Sequence, residues 1–182
     1  MFGTPEGRVM LVEHEPQWQQ AFEEEAEKIE SLVGERCRGV ELVGSMAVAG
    51  LIARPTLDIV AGIDSLESLD GLLEQFVVYG YRARMQRTIR GRLHLVREAD
   101  GLRYVNLLLV GYGRSVWKSY LLFRDYLRAH PEEARRYARL KALLARQYGS
   151  DTKAYGNGKN DYINRVLEKG RAWRLQCLGK PA

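Results

Sequence analysis

The spacing of hydrophobic residues changes along this chain. The first part contains both strand-like and helix-like stretches, whereas the last part has helical spacing. Between residues 17 and 33, apolar side chains recur at helical spacing among glutamates, which predicts an amphipathic helix. Shorter apolar runs, several of them rich in β-branched residues, predict strands. These runs cover residues 39–43, 56–63, 81–85, 93–97 and 102–110.

Helix signals lie between and after these strands. Ser65 suits the N-cap of a helix that ends before Gly80, because serine accepts from free backbone N–H groups and glycine favours a helix end. The turn of a hairpin is expected at residues 99–101, which read Ala-Asp-Gly. Helices are predicted over residues 45–51, 65–78, 116–128, 131 to about 148, and 151–174.

The order of these elements predicts the fold class. Strands and helices interleave early and helices cluster late, so we expect an α/β (α+β) fold, with a mixed β-sheet flanked by helices and a helical C-terminal segment. A length of 182 residues suits one domain, since no linker, repeat or low-complexity stretch interrupts the chain. Residues 1–10 are expected to be flexible.

The composition indicates where in the cell the protein is expected to be located. Apolar residues make up 46% and charged residues 28% of the sequence, which is typical of globular proteins. No apolar run reaches the roughly 18 residues of a membrane span, and no secretory signal is visible. The two cysteines do not have the spacing of a metal site. We therefore expect a cytoplasmic protein with no membrane partner.

Charge is divided unevenly along the chain. Residues 1–112 hold 12 Lys/Arg and 17 Asp/Glu, whereas residues 113–182 hold 16 Lys/Arg and 6 Asp/Glu. The basic part could attract phosphates, nucleotides or nucleic acid, or it could be the solvated face of arginine-rich helices. No nucleic-acid-binding motif accompanies the charge, so a sequence-specific nucleic-acid partner is not expected.

The segment from residue 41 to residue 59 is the most informative for chemistry. A predicted strand runs into Gly44-Ser45, and Asp58 lies 13 positions after Ser45 within the next strand. A Gly-Ser bend offers backbone N–H groups and a hydroxyl to a phosphate. A carboxylate on the adjacent strand could hold Mg²⁺ against that phosphate. This order is typical of the opening of a nucleotidyltransferase fold.

The same residues, with three further stretches, resemble one known family. The shared positions are Glu41, Gly44, Ser45, Ala47, Val48, Gly50, Leu51, Pro55, Asp58 and Ile59, the segments 12–18 and 121–131, and Trp117, Tyr155, Lys159, Ile163 and Val166-Leu167. On these positions the chain resembles the GrpB family of bacterial proteins, over roughly residues 12–167. The resemblance implies a nucleotidyltransferase-like fold.

Departures from the family pattern affect the expected metal site. Leu42, Met46, Ala49 and Arg54 replace the family's His, Thr, Pro and Lys, and Asn106 and Leu108 stand where a His-x-His is common. An active nucleotidyltransferase usually has a second carboxylate two positions after the first, where this chain has Val60, and a third on a later strand, whose place falls near Asn106. One carboxylate of three therefore remains, which makes a poor two-metal clamp.

The candidate site follows from the pattern and the resemblance together. Its catalytic candidates are Asp58, which is also the metal candidate, Glu41 and Asn106. The candidates for substrate and phosphate binding are Gly44, Ser45, Arg54, Arg92, His94 and Lys159, and Arg90 and Arg97 are further basic residues near the middle strand. Each has a structural alternative: a turn carboxylate, a tight bend, a surface charge, or a buried amide that satisfies backbone.

The resemblance implies transfer of a nucleotidyl group from ATP or another nucleoside triphosphate to a small-molecule acceptor, assisted by Mg²⁺. The missing carboxylates leave two alternatives open. The pocket could bind a phosphorylated or nucleotide-like ligand without nucleotidyl transfer. It could also belong to a pathway-specific enzyme with new chemistry, because Leu42, Met46 and Leu108 make it more apolar. The sequence does not predict the acceptor or the oligomeric state.

Overall fold

A mixed β-sheet with helices on both faces forms the frame of the protein. The structure is a computed structural model that describes residues 2–66, 69–84 and 92–178. The strands are β1 (Thr4–Pro5), β2 (Cys37–Val43), β3 (Leu57–Ile63), β4 (Tyr81–Ala83), β5 (Arg92–Ala99) and β6 (Leu102–Gly111). The helices are α1 (Gln17–Val33), α2 (Asp70–Val78), α3 (Ser115–Ala129), α4 (Pro131–Gln147), α5 (Thr152–Asn157) and α6 (Asn160–Leu178).

The sheet has the strand order β2-β3-β6-β5-β4. Strands β3 and β6 pair in parallel, and the other neighbours pair antiparallel. Asp58 of β3 lies opposite Asn106 of β6 in the parallel pair and opposite Val43 of β2 in the antiparallel pair. The expected fold class, a mixed sheet flanked by helices with a helical C-terminal segment, is confirmed.

Alternation along β3 decides which face carries the site. Leu57, Ile59, Ala61 and Ile63 point into the main core, where Trp18 of α1 and Phe76 of α2 cover the sheet. Val60 points to the opposite face and packs with Trp117 of α3. Because side chains two positions apart share a face, Asp58 projects to the α3 side, away from the main core.

A buried ion pair fastens α1 to this sheet. Glu25 of α1 is 3% exposed and accepts from Arg97 Nη2 of β5 at 2.8 Å and from the Tyr81 hydroxyl of β4. Burial, followed by the charge of Glu25, raises the pKa of Tyr81, which therefore stays protonated as the donor. Arg97 therefore pairs with Glu25 on the α1 side of the sheet.

Several local predictions are confirmed, and three are wrong. Helix α1 has the expected bounds, and Asp100 and Gly101 form the hairpin turn with φ values of 52° and 72°. The predicted helix over residues 45–51 is a series of turns, because positive φ values at Gly44 and Gly50 bracket the segment. Helix α2 starts at Asp70, not at residue 65.

The third wrong prediction is the continuous helix over residues 151–174. It is divided into α5 and α6 around Gly158. A Cβ at Gly158 would lie 2.7 Å from Leu144 Cδ2, so the chain passes close to α4 at this break. Met85, at the end of the predicted strand over 81–85, and Arg90 lie outside the described residues.

The N-terminal segment, expected to be flexible, takes part in the sheet. Strand β1 pairs with the first residues of β6, which lie before the residues that pair with β3, and Thr4 is 5% exposed. The Gly3 amide donates to the Pro55 carbonyl at 2.7 Å. These contacts place β1 beside the segment that leads into β3.

Candidate functional site

A cleft of about 630 Å³ lies between the α3 face of the sheet and helices α4–α6. Of the predicted site residues, it is lined by Gly44, Ser45, Arg54, Asp58, Arg92, His94, Asn106 and Lys159. These residues come from four strands or their ends and from the C-terminal helical region. The topology therefore brings eight of the nine candidates to one space.

Asp58 lies at the centre of the cleft wall. Its Oδ1 accepts from Asn106 Nδ2 at 2.8 Å, as the parallel register of β3 and β6 requires. Gly44 lies against the same carboxylate, because a Cβ at this position would come within 2.8 Å of Asp58 Oδ2. With a φ of 69°, Gly44 also has a backbone conformation that favours glycine. The bend and the acidic group are therefore direct neighbours.

A lysine from α4 contacts the Gly44-Ser45 bend. Lys141 Nζ donates to Ser45 Oγ at 2.7 Å and also to the Ile52 carbonyl. Lys141 is 2% exposed, and its ammonium lies 4.9 Å from the centre of the Tyr137 ring. The sequence reading missed this residue, although Lys141 occupies an apolar-face position of α4 between the buried Tyr137 and Leu144.

Two lysines of the site have unusually low proton affinities. Burial, with the nearby charge of Lys159, lowers the pKa of Lys141 to about 7. Burial and the charge of Arg54 lower the pKa of Lys159 to about 8, and Asp58 opposes both shifts. Lys159 Nζ lies 4.3 Å from the centre of the Tyr155 ring. An anion bound beside these groups would favour their charged forms.

The cleft is strongly cationic. Among the described residues that line it, five are basic, Arg54, Arg84, Arg92, Arg103 and Lys159, whereas Asp58 is the one acidic residue. His94 is half-buried, and burial followed by the charge of Arg84 lowers its pKa, which favours the neutral imidazole. The summed charge suits an anionic ligand.

Most of the remaining cleft wall is apolar or aromatic, although Ser119 and Asn160 also line it. Its members include Met46, Ile59, Leu108, Tyr120, Phe123, Ile163 and Leu167. Met46 and Leu108 therefore make the cleft more apolar, as expected from their departures from the family pattern. Leu42, which was also expected to make the pocket more apolar, does not line the cleft and packs in the main core. A ligand with an anionic end and a less polar body fits such a wall.

Glu41 is the candidate that the structure separates from the cleft. Its carboxylate accepts from Arg124 Nη1 of α3 at 2.6 Å, and it does not line the cleft. Arg124 also donates to the Leu42 carbonyl at 3.1 Å, so this ion pair joins α3 to β2. Arg97, turned to Glu25, likewise lies away from the cleft.

The donor set does not fit a two-metal site. Asp58 offers one carboxylate, and Val60, which stands in the second carboxylate position, is fully buried in a hydrophobic cluster. No group of three or more His, Cys, Asp or Glu side chains able to hold a metal occurs in residues 2–66, 69–84 and 92–178. The surrounding positive charges also oppose a divalent cation.

Comparison with known proteins identifies relatives over most of the chain. The model of the family described as GrpB protein matches residues 8–169. The chain is 31% identical to the glutamate-rich protein GrpB of Alkalihalophilus pseudofirmus over 173 residues, which cover 93% of this chain and 99% of that protein. It is 34% identical to a UPF0157 protein of Pseudomonas aeruginosa over 170 residues, covering 91% and 68%.

Solved structures show the same architecture. The conserved protein GrpB from Enterococcus faecalis superposes with a TM-score of 0.82 at 28% identity, over 90% of this chain and 99% of that one. The Cid1 poly(U) polymerase superposes with a TM-score of 0.54 at 13% identity, over 81% of this chain and 49% of the polymerase. This second likeness shows a nucleotidyltransferase-like fold. Within the described part of the chain, every helix is too short or too polar to cross a membrane.

Proposed function

Because this chain belongs to the GrpB family, we propose that its cleft binds a phosphorylated or nucleotide-like small molecule through its own cationic side chains, without nucleotidyl transfer. The observation that carries this proposal is the Lys141–Ser45 hydrogen bond at the cleft bend. Lys141 is a buried cation that has no carboxylate partner among the described residues. A buried charge without a counter-charge is costly, and a bound phosphate would supply that counter-charge.

The phosphate would bind where the bend and the lysines meet. Ser45 contributes its hydroxyl, and Lys159 and Arg54 contribute positive charge to the same space. Arginine and lysine form charge-assisted hydrogen bonds with phosphate oxygens, which are stronger than neutral ones. The cations thus take over the neutralising role that metal ions have in a nucleotidyltransferase.

Asp58 and Asn106 would recognise the body of the ligand. A carboxylate next to a bound phosphate repels it, so Asp58 is better used as an acceptor for a hydroxyl or amino group. The Asn106 amide, which donates to Asp58, holds that carboxylate in position. The apolar wall around Phe123 and Ile163 would cover the less polar part of the ligand.

Nucleotidyl transfer from a nucleoside triphosphate is the second candidate function. It is favoured by the position of Asp58 directly beside the Gly44 bend, which the nucleotidyltransferase pattern predicts. In that case Asp58 would hold Mg²⁺ and the basic residues would bind the triphosphate. The single carboxylate argues against this function, and the recruited chemistry of a pathway-specific enzyme remains the third candidate.

Calorimetric titration separates the first two functions. ATP, CTP and inorganic tripolyphosphate are titrated into the protein with excess EDTA and, separately, with Mg²⁺. We expect binding of all three compounds in EDTA. Tripolyphosphate, which has no hydroxyl or amino group for Asp58 to recognise, should bind Asp58→Asn equally or more tightly, because the variant removes a repulsive charge. Glu132→Gln, an exposed acid on α4, is the matched control and should change little.

Other outcomes select a different function. Binding that requires Mg²⁺ and is abolished in Asp58→Asn, together with pyrophosphate release when nucleotide and a cell extract are added, would establish nucleotidyl transfer. If none of the three compounds binds under either condition, the proposed anion site is wrong.

A further inference from the structure

A second, smaller cavity opens beside the cleft and shares part of its wall. It measures about 160 Å³ and lies between the N-terminal segment, the start of β6 and α5. Arg54, Arg84 and Arg103 line both cavities, so the two spaces meet along these three side chains. We call the smaller cavity the arginine pocket.

The arginine pocket holds more positive charge than its carboxylate neutralises. It is lined by four arginines, Arg8, Arg54, Arg84 and Arg103, and by one acidic residue, Glu6, which lies 3.7 Å from Arg82 outside the pocket. Glu98, which does not line the pocket, accepts from Arg103 Nε at 2.6 Å. In the part of the chain that the structure describes, neither Arg54 nor Arg84 forms an ion pair with a carboxylate. Desolvation, and then the charge of Arg103, lowers the pKa of Arg84. Like charges gathered in this way repel one another unless an anion lies between them.

The floor of the arginine pocket is fixed by the packing of β1. The Oγ1 atoms of Thr4 and Thr56 lie 2.6 Å apart, and both residues are buried. Thr56 Oγ1 also donates to the Arg103 carbonyl at 3.0 Å. These hydrogen bonds hold the backbone around Arg54 and Arg103 in place. Little ordering of the chain is then needed when a ligand binds, which favours affinity.

We propose that the ligand of the cleft carries a second, separate phosphate group, which binds in the arginine pocket between Arg54 and Arg84. This inference rests on the proposed function, since the first phosphate occupies the Ser45–Lys159 end of the cleft. Arg54 lines both spaces and lies at their junction. Arg54, Arg84 and Arg103 match a phosphate dianion better than they match a carboxylate, because a phosphate group has a larger negative charge and more oxygens to accept from several guanidinium groups. The ligand class is therefore a bisphosphorylated small molecule.

The test compares alkyl monophosphates with alkanediol bisphosphates of increasing chain length by calorimetry at constant ionic strength. When one molecule occupies both positions, the second phosphate binds at a high effective concentration. We expect one chain length to bind at least about tenfold tighter than the matching monophosphate. Arg84→Gln should remove most of that gain, so that the ratio of bisphosphate to monophosphate affinity falls toward one, and it should weaken the bisphosphate more than the monophosphate. Arg171→Gln, an exposed arginine on α6, is the control for loss of one charge.

The outcomes separate this inference from the proposed function. Monophosphate binding with no gain for any bisphosphate would overturn the second position and leave the proposed function standing. An equal loss of affinity for both compound classes in Arg84→Gln would also overturn it, because Arg84 would then attract both classes only through the long-range effect of its positive charge. Failure of both classes to bind wild-type protein would refute the proposed function as well.

Discussion

Lys159, which lines the cleft, and Lys141, which is buried behind its Gly44-Ser45 bend, lead to a quantitative prediction about pH. The pKa values of Lys141 and Lys159 are about 7 and about 8 in the free protein. A bound dianion stabilises the ammonium forms and so raises both values, which means that binding takes up protons above neutral pH. Affinity is therefore highest at about pH 6 and below, and it falls as the pH rises through the two pKa values.

The size of the effect follows from the protonated fractions. At pH 9, about one part in a hundred of Lys141 and one part in ten of Lys159 remain protonated, so affinity should drop about a thousandfold between pH 6 and pH 9. Sulfate is a suitable probe because it keeps its charge over this range. Calorimetry in buffers of different ionisation enthalpy measures the proton uptake directly.

Variants separate the contribution of Lys141 to the pH dependence of the affinity. Lys141→Met removes the group with the lower pKa, so its affinity should be weaker at pH 6 and should then fall only about tenfold by pH 9. Lys118→Met, an exposed lysine on α3, should keep the full dependence. A wild-type affinity that does not change with pH, or an unchanged slope in folded Lys141→Met, would refute the reasoning.

Two further predictions concern stability. Gly44→Ala should lower the free energy of unfolding by more than about 2 kcal/mol, because it adds a contact with Asp58 Oδ2 to the cost of a positive φ. Gly50→Ala, with a φ of 73° and open space around its Cβ position, should lose only the conformational part, about 1 kcal/mol. Urea unfolding measures both, and equal losses would contradict the contact. Glu25→Ala should cost about 2 kcal/mol, because it leaves the buried Tyr81 hydroxyl and the partly exposed Arg97 without their acceptor, whereas the exposed Glu27→Ala should cost little. A small loss for Glu25→Ala in the same assay would count against these contacts.

The sequence was sufficient to predict the structure where interactions between residues close together in the chain determine it. The period of apolar residues gave the bounds of α1, and the Asp100-Gly101 pair gave the hairpin because both residues tolerate positive φ. The same kind of reasoning was wrong at residues 45–51, where Gly44 and Gly50 impose turns. There the approach of the bend to Asp58, a residue of another strand, determines the backbone.

The order of strands and helices along the chain was enough to predict the mixed fold. The spacing of Gly44, Ser45 and Asp58 was enough to predict that they share one site, because they flank consecutive elements of a recognisable pattern. The hydrogen bond from Lys141 to Ser45, 96 residues away in the chain, and the pairing of Glu41 with Arg124 could be seen in the folded protein alone. These contacts depend on how α3 and α4 pack on the sheet. Packing joins residues that are far apart in the chain, and the local periodicity of one sequence carries no record of such pairings.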